Sequence, residues 1–110
     1  MKAEMKISDY IVHILSKEGV KYIFGYQGAN ISHIIDSIGN SPDISFIETY
    51  NEQGAAFAAN GYSCTDKLGV AVASSGPGAL NLLSGIANAY FESIPCLFIT
   101  GNVSQNENEE

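Results

Sequence analysis

Residues 69–81 read GVAVASSGPGALN, and this stretch decides the fold. Its first part, residues 69–75, is a run of small and β-branched residues, which is typical of a strand buried on both faces. A Gly-Pro-Gly turn follows and leads into an apolar helical pattern over residues 78–93. A buried strand that passes through a glycine-rich turn into a helix is the repeating unit of parallel α/β sheets.

The alternation of strands and helices extends outward from this stretch in both directions. Strands are predicted at residues 21–26, 44–50, 69–75 and 95–101. Helical spacing relates Ile7, Ile11, Ile14 and Leu15, then Ile31, Ile34, Ile35 and Ile38, and an Ala-rich helix covers residues 52–65. We expect Ser8 to cap the first helix and Gly19 to end it. The order α-β-α-β-α-β-α-β predicts a three-layer parallel sheet, buried between helices on both faces, of the flavodoxin-like kind.

The length of 110 residues corresponds to about one small domain. We assign residues 1–104 to a partial N-terminal domain, truncated because a complete sheet usually has more than four strands. Residues 105–110 have no periodicity, and we interpret them as a tail or the start of the next loop.

Charge and composition exclude several classes of partner. The net charge is −7, with five Lys and Arg against twelve Asp and Glu, and no arginine occurs. Binding to nucleic acid needs a basic face, so nucleic acid is not expected as a partner. No apolar run approaches the roughly 20 residues that span a bilayer, and the N-terminus is not that of a signal peptide.

The cysteines and histidines predict no metal site. Cys64 and Cys96 form no C-x-x-C pair, and we interpret them as free thiols in a reducing cytoplasm. His13 and His33 lie off the apolar stripes and are interpreted as surface residues. No cluster of His, Cys, Asp or Glu has the spacing of metal ligands.

Three strand-to-helix loops predict a ligand site. They are GYQGAN at residues 25–30, TYNEQGA at 49–55 and SSGPGALN at 74–81. The carboxyl ends of parallel strands meet at one edge of a sheet, so these loops must converge there. Glu52 is the candidate acid, although its local sequence alone favours a charge that merely stabilises the start of a helix. The last loop has neither the Gly-Lys-Ser/Thr of a Walker loop nor the third glycine of G-x-G-x-x-G.

Four motifs resemble the pyrimidine-binding domain of the acetolactate synthase and 2-oxo-acid decarboxylase superfamily, whose enzymes use thiamine diphosphate. They are Gly25-Tyr26-Gln27-Gly28-Ala29, Tyr50-Asn51-Glu52 with Gly61-Tyr62 behind it, Ser75 to Asn81, and Glu92-Ser93-Ile94-Pro95. The family commonly has Pro and Gly where this chain has Gln27 and Ala29, and Arg-His where it has Tyr50-Asn51. The resemblance runs from about residue 8 to residue 104.

The resemblance implies roles for individual residues. Glu52 would be catalytic: it would hydrogen-bond the N1′ atom of the cofactor's aminopyrimidine ring and thereby favour loss of the thiazolium proton. The other implied cofactor-binding residues are Tyr26, Gln27, Gly28, Ala29, Ser75, Pro77 and Asn81. Pro77 and Asn81 would form a wall against the ring, while Gly28 and Ala29 would let backbone approach it closely.

The resemblance also implies what completes the site. Mg²⁺ would hold the diphosphate through a C-terminal domain that this sequence lacks, and the full-length parent could bind FAD. The partner would be the diphosphate-binding domain of the same or another subunit, in a homodimer or tetramer, and the substrate a small 2-oxo acid such as pyruvate. The 110-residue chain alone is expected to be inactive.

Two alternatives stay open at this point. The chain could be the pyrimidine-binding subunit of a split 2-oxo-acid decarboxylase of the sulfopyruvate or phosphonopyruvate type. It could also be a non-catalytic domain of the same fold, which the departure at Tyr50-Asn51 keeps in play. The segment SGIANAYF, residues 84–91, is interpreted as a helix packed on the core rather than a partner-binding helix.

Overall fold

A computed structural model of the chain describes residues 4–65 and 67–102. The helices are α1 (Ile7–Lys17), α2 (Ser32–Gly39), α3 (Glu52–Ser63), α4 (Pro77–Asn81) and α5 (Leu83–Glu92), and a 3₁₀ turn covers Ala29–Ile31. The strands are β1 (Tyr22–Gly25), β2 (Ser45–Glu48), β3 (Gly69–Ala73) and β4 (Cys96–Thr100). The predicted tail, residues 105–110, and the predicted domain boundary at residue 104 lie outside the described residues.

The four strands form one parallel sheet in the order β2-β1-β3-β4. Gly25 at the end of β1 pairs with Glu48 at the end of β2, and Ala73 at the end of β3 pairs with Thr100 at the end of β4. This register aligns the carboxyl ends of the strands along one edge. The predicted parallel α/β fold is confirmed.

Each face of the sheet has its own hydrophobic core, and β3 contributes to both. Val70 and Val72 pack among the buried residues of α1 and α2, such as Leu15 and Ile38. Ala71 and Ala73 point the other way and pack with the alanines of α3 and with Leu82. Because side chains alternate along a strand, an all-apolar strand supplies two cores at once.

The helix between β1 and β2 matches its prediction, and the first helix does so only in part. Ile34 and Ile38 of α2 are buried as predicted. In α1, however, Ile7 is 78% exposed and Ile14 41% exposed, while Val12 is buried beside Leu15. The predicted stripe was wrong at Ile7 and Ile14, because α1 packs through a narrow face centred on Val12 and Leu15.

Ser8 does not cap α1, so that prediction was wrong. The helix starts one residue earlier, with Lys6 at its N-cap and no side-chain cap. The Ser8 hydroxyl instead accepts a hydrogen bond from Ser37 Oγ of α2 at 2.8 Å. This contact between helices takes the side chain away from its own backbone. Gly19 follows the end of the helix with φ +84°, as expected.

Two further predictions about the sheet and its last helix need correction. Only β3 is buried along its whole length among the strands described here. The strands β2 and β4 form the edges of this sheet, and β1, although it lies between β2 and β3, is exposed at Tyr22. The single helix predicted over residues 78–93 is two helices separated at Leu82. The Leu82 N–H donates to Ala79 O at 3.0 Å, an i to i−3 bond that tightens the end of α4.

Candidate functional site

The three predicted loops meet at the carboxyl edge of the sheet. Gly28, after β1, lies so close to Ser74, after β3, that a Cβ atom on Gly28 would collide with the Ser74 side chain. Thr49, after β2, donates its backbone N–H to Gly25 O of β1 at 2.9 Å. The convergence is confirmed, and the close approach of two loops explains the glycine at position 28.

Glu52 is fixed at the start of α3 by its two neighbours in the loop. The Oδ1 atom of Asn51 accepts a hydrogen bond from the Gly54 N–H at 2.8 Å and so caps the helix. Thr49 Oγ1 donates to the backbone carbonyl of Asn51 at 2.6 Å. A cap of this kind is typically worth about 1 kcal/mol. Glu52 is therefore held in the first turn of α3, where it is half-buried.

The Glu52 carboxylate faces the start of α4. Asn81 Nδ2 donates a hydrogen bond to Glu52 Oε1 at 3.0 Å. Oε2 lies beside Gly78, only 3.2 Å from where a Cβ atom on Gly78 would sit. Among the described residues, none donates a hydrogen bond to Oε2. One oxygen of the carboxylate is thus committed to the protein, and the other remains available to a ligand.

The chain reaches this arrangement through a sharp turn after β3. Gly76 has φ +72°, a left-handed conformation that a residue with a side chain rarely adopts. Pro77 then takes the first position of α4, where its missing N–H costs nothing. The turn puts Gly78 next to Glu52 and brings Asn81, one helical turn later, within hydrogen-bonding distance of it.

Asn30 is a residue of this edge that the sequence did not single out. The hydroxyl groups of Ser74 and Ser75 both donate to its Oδ1 atom, at 2.7 Å and 2.6 Å. Gly101, after β4, packs against it, since a Cβ on Gly101 would lie 2.6 Å from Asn30 Cβ. Asn30 therefore joins the loops after β1, β3 and β4. Its position directly after Gly28-Ala29 was the available signal.

An open cleft of about 670 Å³ lies beside the start of α3. Its lining residues are Tyr26, Glu48, Thr49, Tyr50, Asn51 and Gly54. Neither Glu52 nor Asn81 is among them, so the cleft adjoins the carboxylate rather than containing it. We take the Glu52–Asn81 pair as the chemical centre because it holds a half-buried acid with an available oxygen.

The structure brings only some of the predicted site residues together. Glu52 and Asn81 are in contact, and Pro77 starts the helix that carries Asn81. Ser75 donates its hydrogen bond to Asn30 and makes no hydrogen bond with Glu52. Tyr26 lines the cleft. Gln27 and Ala29 are exposed, and no side-chain hydrogen bond joins Gln27 to the described residues.

No positive side chain occurs in the loops of this edge. Lys21 and Lys67 come just before β1 and β3, at the opposite edge of the sheet. Lys17 ends α1, and Lys6 lies 4.0 Å from Asp36 of α2. The sequence has no arginine. The edge offers the half-buried carboxylate of Glu52, the exposed carboxylate of Glu48 and several neutral donors, which suits an uncharged polar ring better than a phosphate group.

Cys96 lies at the opposite end of the sheet, away from the site. Burial raises the pKa of its thiol, with a smaller contribution from Cys64, while the hydrogen bond with Ser63 acts in the other direction. Ser63 Oγ and Cys96 Sγ are 3.1 Å apart. Cys64 and Cys96 are both free thiols. Their position gives them no contact with Glu52.

The described residues lack the features of two other kinds of site. Among residues 4–65 and 67–102, no three His, Cys, Asp or Glu side chains come together as metal ligands would. Within the same ranges, no helix has the length and apolar character needed to cross a membrane. His13 and His33 are exposed, as predicted.

The fold and the position of the acid define a class of protein. A parallel α/β sheet with an acid and glycine-bearing loops at its carboxyl edge is a cofactor-binding domain. Residues 5–110 match the family model described as thiamine pyrophosphate enzyme, N-terminal TPP binding domain. The chain belongs to this family, and the resemblance read from its motifs is confirmed.

Acetolactate synthases are among its relatives. The chain is 45% identical over 100 residues to the acetolactate synthase of Arthrospira platensis. It is 44% identical over 101 residues to the large subunit of acetolactate synthase isozyme 2 of Escherichia coli. The matches cover 87% and 91% of this chain, but 17% and 18% of the relatives. The chain thus spans less than a fifth of their length.

Proposed function

We propose that this chain forms the aminopyrimidine half of the thiamine diphosphate site in an acetolactate-synthase-like enzyme. The enzyme acts on 2-oxo acids such as pyruvate, which it decarboxylates before it transfers the two-carbon unit or releases an aldehyde. One observation carries the proposal: Asn81 donates a hydrogen bond to Glu52 Oε1, and Glu52 Oε2 faces Gly78, the second glycine of the Gly-Pro-Gly turn.

Each residue near the acid has a part in this proposal. Glu52 Oε2 would hold a proton toward a ring nitrogen of the bound cofactor, a role that suits a positioned carboxylate. Pro77 and Gly78 form the wall against which a flat ring rests, and Gly78 leaves the room that Oε2 needs. When bound, thiamine diphosphate supplies a thiazolium carbon that becomes the nucleophile.

The residues at this edge fit the aminopyrimidine and do not fit the diphosphate. The ring is neutral and offers nitrogen atoms to a carboxylate and to amide groups. The diphosphate carries charges that need cations, and the loops of this edge have no lysine. We therefore propose that a diphosphate-binding domain of the same or a partner subunit holds the diphosphate through Mg²⁺. We also propose that the full enzyme binds FAD. We further propose that it is cytoplasmic, a location that suits two free thiols.

An exposed apolar face next to the site suits that partner domain. The face comprises Leu80 and Leu83, which are 69% and 58% exposed, and Tyr90 and Phe91, each 82% exposed. The opposite side of α5, with Gly85 and Ala89, is buried against α3, so the predicted core packing accounts for only half of this helix. The apolar face starts next to Asn81, so a domain docked there would border Glu52. Assembly through such faces would give a homodimer or tetramer.

The non-catalytic alternative is the one that we do not propose. It depended on Tyr50-Asn51 in place of the family's Arg-His. Asn51 caps α3 and so positions Glu52, while Tyr50 is fully exposed. The substitution therefore leaves the acid in place. A split decarboxylase of the sulfopyruvate or phosphonopyruvate type uses the same half-site and remains the second proposal for the substrate.

The proposal is tested by replacing Glu52 with glutamine in the holoenzyme, meaning this chain together with the diphosphate-binding half. Glu52→Gln is expected to lower kcat with pyruvate by about 10² to 10⁴, the usual contribution of a positioned acid or base. Glu48→Gln removes an exposed carboxylate from the same edge and should change kcat less than about twofold. Equal effects of the two changes would overturn the role of Glu52. Turnover by the isolated chain would overturn the half-site.

A further inference from the structure

The side-chain oxygen of Asn30 accepts two hydrogen bonds, and its side-chain nitrogen has no acceptor among residues 4–65 and 67–102. A carboxamide oxygen has two lone pairs, and the hydroxyl groups of Ser74 and Ser75 take both. The distances of 2.7 Å and 2.6 Å are typical of O–H···O bonds and short for N–H···O bonds, which assigns the oxygen to this side. No described residue accepts a hydrogen bond from Asn30 Nδ2.

The surroundings hold this amide in one orientation. Ser74 and Ser75 fix it from the loop after β3, and Gly101 supports its Cβ from the loop after β4. Asn30 is nevertheless exposed, so its N–H groups are accessible. A preoriented donor binds a ligand oxygen without the entropy cost of ordering a free side chain.

Asn30 also lies on the same edge as the acid. Gly78 separates the two: a Cβ on Gly78 would lie 3.2 Å from Glu52 Oε2 and 3.5 Å from Ser74 Cβ. Since Ser74 is bonded to Asn30, the acid and the free amide flank one short stretch of loop. This chain offers no lysine to an anionic group that enters the edge, so its own contribution there comes from neutral N–H donors.

We propose that Asn30 Nδ2 binds the carboxylate of the 2-oxo acid and so helps this enzyme to select substrates that carry one. The inference rests on the proposed function and adds a residue outside its cofactor-binding set. Ser74 and Ser75 act as positioning residues, because they orient the amide through its oxygen.

The test compares Asn30→Asp with Asn40→Asp in the holoenzyme. Asn30→Asp keeps the shape of the side chain and the oxygen that accepts from the two serines, but replaces the donor by a second oxygen. We expect KM for pyruvate to rise about 10-fold to 100-fold, the size of a lost hydrogen bond to a charged group. The Kd of thiamine diphosphate, measured by fluorescence quenching, should not change. Asn40→Asp adds the same charge at the end of α2 and should change neither value.

A second variant keeps the test decisive if Asn30→Asp does not fold. Replacing both Ser74 and Ser75 by alanine frees the amide, and KM for pyruvate should rise about 10-fold because the orientation of the donor is lost. A pyruvate KM within twofold of the unmodified enzyme in the folded variants would overturn the inference, as would a change confined to cofactor affinity. Either result leaves the proposed function standing, which fails separately if Glu52→Gln retains full turnover.

Discussion

The side-chain amide of Asn81 donates a hydrogen bond to Oε1 of Glu52 at 3.0 Å and thereby joins α4 to the first turn of α3. An amide nitrogen can only donate, so this contact keeps Oε1 as an acceptor. Any proton that Glu52 exchanges with a ligand must then use Oε2, next to Gly78. Under the proposed function, Asn81 would thus do more than line the site, because it would leave Oε2 as the oxygen that exchanges the proton.

Replacing Asn81 by alanine should weaken catalysis through Glu52. We expect kcat of the holoenzyme with pyruvate to fall about 10-fold, less than in Glu52→Gln, because the acid remains but loses its orientation. In the double variant the two losses should not add, since Asn81 acts through Glu52. Gln53→Ala, on the same helix and exposed, serves as the control. Additive losses in steady-state kinetics would show that Asn81 acts independently.

Adding a methyl group at Gly28 should destabilise the domain. A Cβ there would collide with Ser74, so the loops after β1 and β3 would have to separate. We expect Gly28→Ala to lower the free energy of unfolding by about 1–3 kcal/mol, as overpacking typically does.

Gly61→Ala is the matched control for that change. Gly61 lies in α3 with nothing within 4 Å of an added Cβ. Alanine favours a helix over glycine by up to about 1 kcal/mol, so this variant should be more stable than the unmodified chain. Urea unfolding measures both changes, and a Gly28→Ala variant as stable as Gly61→Ala would refute the close packing of the two loops.

Removing the N-terminal cap of α3 should lower the free energy of unfolding. Asn51→Ala loses the hydrogen bond to the Gly54 N–H, and we expect a loss of about 1 kcal/mol in unfolding free energy. Asn51→Asp keeps a capping oxygen and should retain the stability. Urea unfolding of the three proteins compares them directly. If Asn51→Ala and Asn51→Asp have the same midpoint, Asn51 does not fix the start of α3.

The thiol of Cys96 should make stability depend on alkaline pH. Burial raises its pKa, so the unfolded chain loses the proton at lower pH than the folded chain does. The stabilising effect is therefore complete below the ordinary thiol pKa and is lost as the pH rises through the folded value. Thermal unfolding between neutral pH and about pH 10 should show a larger decline in Tm for the unmodified chain than for Cys96→Ala. Parallel declines would contradict the assignment.

The sequence predicts the sheet well because the residue composition of a strand reflects whether its faces are buried. The apolar run from Gly69 to Ala73 requires cover on both faces, and the isoleucines of α2 match the face that they bury. Ile7 and Ile14 carry the same helical spacing and remain exposed. Spacing alone does not reveal how wide a contact the neighbouring elements make.

The sequence singled out Glu52 through the order of its motifs rather than through its own neighbours. Its local sequence favoured a charge that stabilises the start of a helix, and the cap by Asn51 became visible only in the structure. The contact with Asn81 joins residues 29 positions apart, and its geometry depends on the turn at Gly76. Asn30 gains its importance from Ser74 and Ser75, more than 40 positions away. The local signal for Asn30, its position directly after Gly28-Ala29, does not reveal these distant partners.

The measurement closest to the central claim follows the C2 proton of thiamine diphosphate bound to the holoenzyme. Its exchange for deuterium, followed by quenched-flow NMR, reports cofactor activation without the later steps of turnover. If Glu52 Oε2 shares its proton with the cofactor ring, Glu52→Gln should slow the exchange by about 10² to 10⁴, and Glu48→Gln should not slow it. Exchange in Glu52→Gln at the rate of the unmodified enzyme would contradict the assignment of Glu52 as the activating acid.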